Sequence, residues 1–355
     1  MMDFGTHSIL VTGASGWLGV NVVRALAQGL PDCEVLRRPQ AGLVLRCLVQ
    51  PGDDSRLGAI NSGIELVRGD VRSETDCAEF CSTARGALLI HTAGVIHPKR
   101  VADFYDVNVT GTRKLLQAAA AAGVRKAVVV SSNSPCGCNP HPDHLFDETS
   151  PYHPYLNYGR SKMLMEQAVR EMQQQGRLQT TIIRPPWFYG PNQPPRQTLF
   201  FVMIRDGKAP LVGKGNNLRS MVYVDNLVQG ILLAALSPAA VGETYWIADE
   251  RPYAMKEILN VVESLLENEF GQRCAHKRLR LPAFVGSLAY LVDAGLQSLG
   301  LYHQKIHVLS EMNKTIACSV AKAQRELGYA PRISLEEGMR RSIASLLTSD
   351  GRLPF

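Results

Sequence analysis

The feature that most constrains this chain is a glycine-rich turn that closes a short apolar run and opens a helical pattern. Residues 8–12 (SILVT) read as a buried strand, Thr12-Gly13-Ala14-Ser15-Gly16-Trp17-Leu18-Gly19 as the turn, and Gly16 to Ala27 as the helix. Glycines at such a junction permit a tight turn, close backbone approach to a pyrophosphate and close helix–strand packing. The helix N-terminus adds amide groups and a positive dipole end that suit phosphate. On this reading Gly13, Ser15, Gly16, Trp17 and Leu18 are candidate dinucleotide contacts.

Strand-like and helix-like stretches keep alternating downstream. Strands are expected at 43–50, 64–70, 87–94, 126–132 and 180–186, with long helices over 101–122 and 155–175. Repeated strand–helix–strand units imply an α/β fold, a Rossmann-type doubly wound parallel sheet. The pattern assigns 1–186 to the dinucleotide-binding domain, which also receives segments near 219–236, and 187–355 mainly to a smaller C-terminal substrate-binding domain. Residues 30–42 exceed an ordinary helix-to-strand loop and read as a surface insertion.

Composition narrows the functional classes. Hydrophobic residues make up 45% of the 355 positions and charged residues 20%, an ordinary globular balance. The net charge of +6 is scattered, and without a basic stripe interleaved with aromatics no nucleic-acid partner is expected. Eight cysteines without a CxxC pair predict free, mostly buried thiols in a reducing, cytoplasmic setting and no metal site. The N-terminus has no basic region followed by an apolar stretch, so no export signal is expected. Residues 281–302 are apolar but broken by Asp293 and glycines, so no membrane span is expected. The segment reads as an amphipathic helix over the substrate pocket, weak membrane-surface association being the other reading.

A second motif carries chemistry. Tyr158-Gly-Arg-Ser-Lys162 sets a phenol and an ammonium four residues apart on one helix face. A phenol has a reference pKa of about 10, and a neighbouring ammonium is expected to lower it. A hydroxyl of Ser131-Ser132, closing the fifth strand, would hydrogen-bond the substrate oxygen.

Taken together these motifs resemble the extended short-chain dehydrogenase/reductase family, including its epimerase/dehydratase and 3β-hydroxysteroid dehydrogenase-like branches. The resemblance runs in order along nearly the whole chain, through TGASGWLG, Asp70-Val71, His91-Thr92-Ala93-Gly94, Asn108 in VNVTGT, YGRSK, RPPWFYGP and LGYAP. It implies Ser132, Tyr158 and Lys162 as the catalytic set. It implies Asp70 and Val71 as adenine contacts, Thr92 and Ala93 along the nicotinamide ribose, and Pro185, Tyr158 and Lys162 as further cofactor contacts. It also implies a homodimer.

The cofactor is expected to be NAD(P), with a lean to NADP(H). The second strand ends on Val49-Gln50 without an acid for a ribose 2′-OH, whereas Arg46 and Arg56 could meet a 2′-phosphate. Asp53 and Asp54 are the residues that could restore NAD preference. For the substrate, Arg219 in RSMVYVDNL stands where the nucleotide-sugar epimerases and dehydratases hold a diphosphate. Trp187 in place of that group's asparagine, and NKTIACSVAKA in place of its late Arg-Pro-Gly-Asp segment, depart from the pattern. The apolar segment 281–302 and the TIACS stretch look more like the hydroxysteroid dehydrogenase-like branch, which acts on bulky alcohols and ketones. Ser134, Trp187 and Arg219 are the substrate candidates, and Phe188, Phe200, Phe201 and Met203 could line the same pocket. Hydride transfer at a secondary alcohol or ketone carbon is the leading expectation. Nucleotide-sugar epimerisation or dehydration with tightly bound NAD is the alternative, and a non-catalytic NADPH sensor or structural subunit a more distant one.

Overall fold

The computed structural model describes residues 4, 8–39, 42–52, 55–60, 63–349 and 351–354. Six strands follow the expected order: β1 (Ser8–Thr12), β2 (Val44–Val49), β3 (Glu65–Arg68), β4 (Leu88–His91), β5 (Lys126–Val130) and β6 (Gln179–Arg184). A seventh strand, Thr244–Trp246, pairs beside β6, and the sheet order is Thr244–Trp246, β6, β5, β4, β1, β2, β3. Every pairing in this sheet is parallel. Parallel strands need crossovers, and the intervening helices cover both faces, which is why these strands read as continuous apolar runs. The strand order reverses between β1 and β4, and the crevice at their carboxyl ends is where open α/β sheets take ligands.

The remaining chain adds three small strand pairings and further helices. Trp187–Tyr189 pairs in parallel with Met221–Tyr223, Leu218–Arg219 pairs antiparallel with Tyr253–Ala254, and Pro210–Val212 pairs in parallel with Leu279–Leu281. Helices Met255–Asn268, Phe284–Ser298, Gln304–Glu311 and Leu335–Ala344 complete it. Among the described residues, no helix is long and apolar enough to cross a membrane.

Three local departures from the sequence reading have physical causes. The expected helix over 101–122 is interrupted by a π-helical stretch at Asp106–Gly111, between Val101–Tyr105 and Thr112–Ala121. The extra residue per turn lets buried Asn108 reach the Val95 backbone and the Ser161 hydroxyl. Stretch 30–42 is more than a surface insertion: Leu30, Cys33 and Leu36 are buried in the core, and Asp32 pairs with Arg341.

The third departure concerns Phe284–Ser298, whose amphipathy is reversed. Its buried stripe is Gly286, Ala289, Asp293 and Gln297, while Phe284, Leu288, Leu291 and Val292 face outward. Polar groups pull the stripe inward. Asp293 accepts from Gln297 at 3.0 Å and pairs with His307 at 2.7 Å, and Gln297 accepts from the Asn157 backbone at 3.1 Å.

Candidate active site

Gly13 sits at φ +65°, and a Cβ there would lie 2.7 Å from the Ala93 nitrogen. A Cβ at Gly19 would lie 2.0 Å from the Gly13 carbonyl oxygen. Glycine is therefore required at both places, once for the turn against β4 and once for the helix above it. Helix Trp17–Gln28 starts at Gly16 without a side-chain cap, which leaves its N-terminus to serve an anion. The Trp17 indole donates to the Pro191 carbonyl at 2.7 Å and packs on Phe188 at 4.5 Å, tying the glycine turn to the segment after β6.

The carboxyl ends of β1 and β4 are sewn together beneath this turn. Thr92 donates to the Thr12 carbonyl at 2.7 Å, and the Thr12 hydroxyl meets His91 Nδ1 at 2.6 Å. The second His91 nitrogen meets Thr112 at 2.9 Å. Burial, helped by the Lys162 charge, pushes His91 down to about 3, so the ring is a neutral strut. On the β3 side, the Asp70 carboxylate is held by Arg72 at 2.6 Å, and a Cβ at Gly111 would press on the buried Val71 side chain.

Tyr158 and Lys162 lie on the inner face of helix Leu156–Gln174, both buried. The Lys162 ammonium donates to the Val130 carbonyl at 3.2 Å, and a Cβ on Gly94 would lie 3.3 Å from it. It therefore stands between the ends of β4 and β5. Burial pulls Lys162 down to about 8 against the opposing charge of Glu166. Tyr158 departs from expectation. Burial pushes its phenol up to about 12, while a Ser132 hydrogen bond and the Arg196 charge pull the other way. Desolvation of the phenolate is the largest cause, and the Glu311 charge adds to it.

The two serines that end β5 have different neighbours. Ser131 donates to Glu166 at 2.6 Å, and Glu166 also takes two bonds from Arg184, at 3.0 and 2.7 Å, and one from Tyr152 at 2.7 Å. Ser132 instead faces Tyr158, Asn133 and Ser134, at 3.3 Å from the Ser134 hydroxyl. The Pro185 carbonyl accepts from the Asn133 amide at 3.1 Å and so fixes this loop from β6. Glu166 was not picked out from the sequence, although its place one helical turn beyond Lys162 was the available signal. Arg196 had no local signal; only the fold brings its charge to bear on Tyr158, Tyr302 and His97.

The other candidates are dispersed. Arg46 lies inside β2, buried and paired with Glu65 and the Glu79 carbonyl, so it cannot reach a 2′-phosphate. Arg56 is exposed on the short helix Ser55–Gly58, and Asp53 and Asp54 lie outside the described residues. Arg219 donates to the Glu311 carbonyl, and Trp187 donates to Gln197 at 3.2 Å while packing on Phe200. Phe201 is in the core, and Phe188, Phe200 and Met203 pack partly buried against it. A cleft of about 530 Å³ runs beside Tyr155, one turn before Tyr158, between Cys138, His153, Tyr290, Leu291 and Lys314.

These features have close parallels among known proteins. The chain is 54% identical over 94% of its length, and 94% of the relative's, to the uncharacterized protein y4nL of Sinorhizobium fredii. It is 27% identical to the 3beta-hydroxysteroid-dehydrogenase/decarboxylase isoform 1 of Arabidopsis thaliana, over 95% of this chain and 79% of the relative. Among solved structures it is similar to the dTDP-glucose 4,6-dehydratase DesIV of Streptomyces venezuelae with NAD and TYD bound, at 26% identity and a TM-score of 0.72, covering 95% and 96% of the two chains. Residues 9–248 match the NAD dependent epimerase/dehydratase family, and the chain is a member of it.

Proposed function

We propose that this protein is an NAD-dependent oxidoreductase that transfers hydride at a secondary alcohol or ketone carbon of a bulky substrate. The observation that carries the reading is that Tyr158 bonds to Ser132 just beyond β5 while Lys162, four residues on along the same buried helix face, reaches the Val130 carbonyl. The residues present suit NAD: Gly13 lets the turn close on Ala93 without a side chain, and the uncapped helix N-terminus at Gly16 would meet the phosphates. Ser15, Trp17 and Leu18 would hold the phosphates with it, Asp70 and Val71 the adenine, and Thr92, Ala93 and Pro185 the ribose and nicotinamide. Loss of Arg46 to Glu65 removes one support for NADP(H). When bound, the nicotinamide supplies the hydride acceptor or donor.

The chain's own residues handle the proton and the oxygen. Tyr158, with its phenol held protonated by burial, gives a proton to the oxygen of a ketone and takes it back in the reverse direction. Ser132 orients that oxygen and stabilises its developing charge. Lys162 places positive charge at the ends of β4 and β5, where it favours the phenolate once substrate and cofactor surround it. Ser134 supports Ser132, and the 530 Å³ cleft with Tyr155, Tyr290 and Leu291 offers an apolar wall of drug-like size.

Similarity to a dTDP-glucose dehydratase keeps a redox-neutral reaction as the second reading, with Arg219 as the diphosphate ligand. Elimination needs an acid–base pair beyond the tyrosine. Asn133 and Ser134 follow Ser132, and neither takes up a proton near neutral pH. Native mass spectrometry of the purified protein separates the two readings. A site that exchanges NAD freely supports net oxidoreduction, whereas NAD that survives purification and never leaves during turnover overturns it.

A further inference from the structure

Helix Phe284–Ser298 presents an apolar outer face. Phe284, Leu288, Leu291 and Val292 are 66%, 55%, 66% and 45% exposed, and Leu299 and Leu301 just beyond it reach 76% and 54%. Their spacing follows one side of a helix. The one charged residue in the helix, Asp293, is fully buried on the opposite side. Buried hydrogen bonds from Asp293 and Gln297 hold the helix in this orientation, so the apolar face is built outward.

Positive charge surrounds this face. Arg280 is exposed on the strand just before the helix, and Lys305 is exposed on the helix that packs against it. Lys314 lines the cleft together with Leu291. At the other end Lys99 and Arg100 are exposed, and the chain there is tied to the helix exit by an Arg100–Leu301 bridge and a Val101–Gly300 hydrogen bond of 3.0 Å. Arg100 is partly offset by Asp103 and by the exposed Asp106, and Glu311 is half-buried next to His307.

We propose that this face seats the protein on an anionic lipid surface, with Phe284, Leu288 and Leu291 entering the interface and Arg280, Lys305 and Lys314 meeting headgroup phosphates. Apolar burial and attraction to anionic lipid together give such helices their binding strength. A second copy fits the face less well, because a two-fold contact would press one basic rim against another. Tyr290 and Leu291 also line the cleft, so docking places its mouth at the lipid boundary.

The test is co-sedimentation of the full-length protein with vesicles of phosphatidylglycerol and phosphatidylcholine in equal parts, and with phosphatidylcholine alone. Wild type should pellet with the anionic vesicles and be released by salt. A Leu288→Ser/Leu291→Ser variant should bind at least roughly tenfold more weakly, since about 0.8 kcal/mol is lost per methylene withdrawn from lipid. A Val35→Ser variant, altered at another exposed apolar site, should bind as wild type does. NAD binding measured on each variant shows that the nucleotide fold is intact and keeps this outcome separate from the fate of the redox reading. Wild type left in the supernatant, or pelleting unchanged in the double variant, overturns the proposal. So does a wild-type dimer that the double variant splits while vesicle binding is absent.

Discussion

The nucleotide end and the outer wall of the cleft are built on opposite plans. Around Gly13, Thr92 and Lys162 the working groups are backbone amides, carbonyls and short side chains locked at the ends of parallel strands. In the wall formed by Phe284–Ser298 and Gln304–Glu311, polar side chains occupy the inside and leucines the outside. The first plan suits the cofactor contacts proposed for it, which every turnover would share. The second would leave shape and surface free to vary with the proposed substrate and lipid contacts.

The sharpest way to break this comparison is to strike each half and ask what fails. Tyr158→Phe should lower turnover by roughly 10²–10⁴-fold, the usual share of a proton-transfer group, with NAD affinity unchanged by titration calorimetry. Glu166→Gln should cost about 3–5 kcal/mol in denaturant unfolding, because it leaves the Arg184 charge buried without its partner. Gly13→Ala should cost about 1–3 kcal/mol through overpacking against Ala93 and should weaken NAD binding along with it.

Asp293→Asn probes the wall and carries a pH signature. Burial alone would lower His307, but its bond to Asp293 and the charges of Glu311 and Asp293 raise it instead. A group raised in the folded state stabilises fully below its unfolded value of about 6.5, and that contribution is lost as pH rises through the folded value. The variant should therefore be about 1–2 kcal/mol less stable than wild type near pH 6, and the gap should narrow above neutrality. Smallest of all, Leu288→Ser should shift stability by no more than about 0.5 kcal/mol, as an outward residue should.

The same contrast explains what could be read in advance. The glycine turn, the tyrosine–lysine helix and β1 to β6 are contiguous patterns whose geometry is local, so residue spacing alone gave them position. The strand Thr244–Trp246 is three residues long, too short for a periodicity to show, and pairs with β6 across some sixty positions that hold two α-helices and several short strands. Arg46 looked like a free cation because its partner, Glu65, arrives only when β3 lies beside β2. The reversed amphipathy of Phe284–Ser298 was hidden for a related reason. Hydropathy marks two faces of a helix but does not say which one is turned inward, and here Asp293 and His307 decide it. Tyr158 shows the limit for chemistry: the motif supplies its neighbours, but only the packed structure supplies the burial that sets its proton affinity.

Net hydride transfer at a secondary alcohol can be followed as NADH absorbance when NAD is mixed with secondary alcohols graded from compact to bulky, with wild type and Tyr158→Phe side by side. The account predicts net NADH from wild type with the bulky members and almost none from the variant. Conversion of a nucleotide sugar with no net NADH, or equal rates in the two proteins, would contradict it.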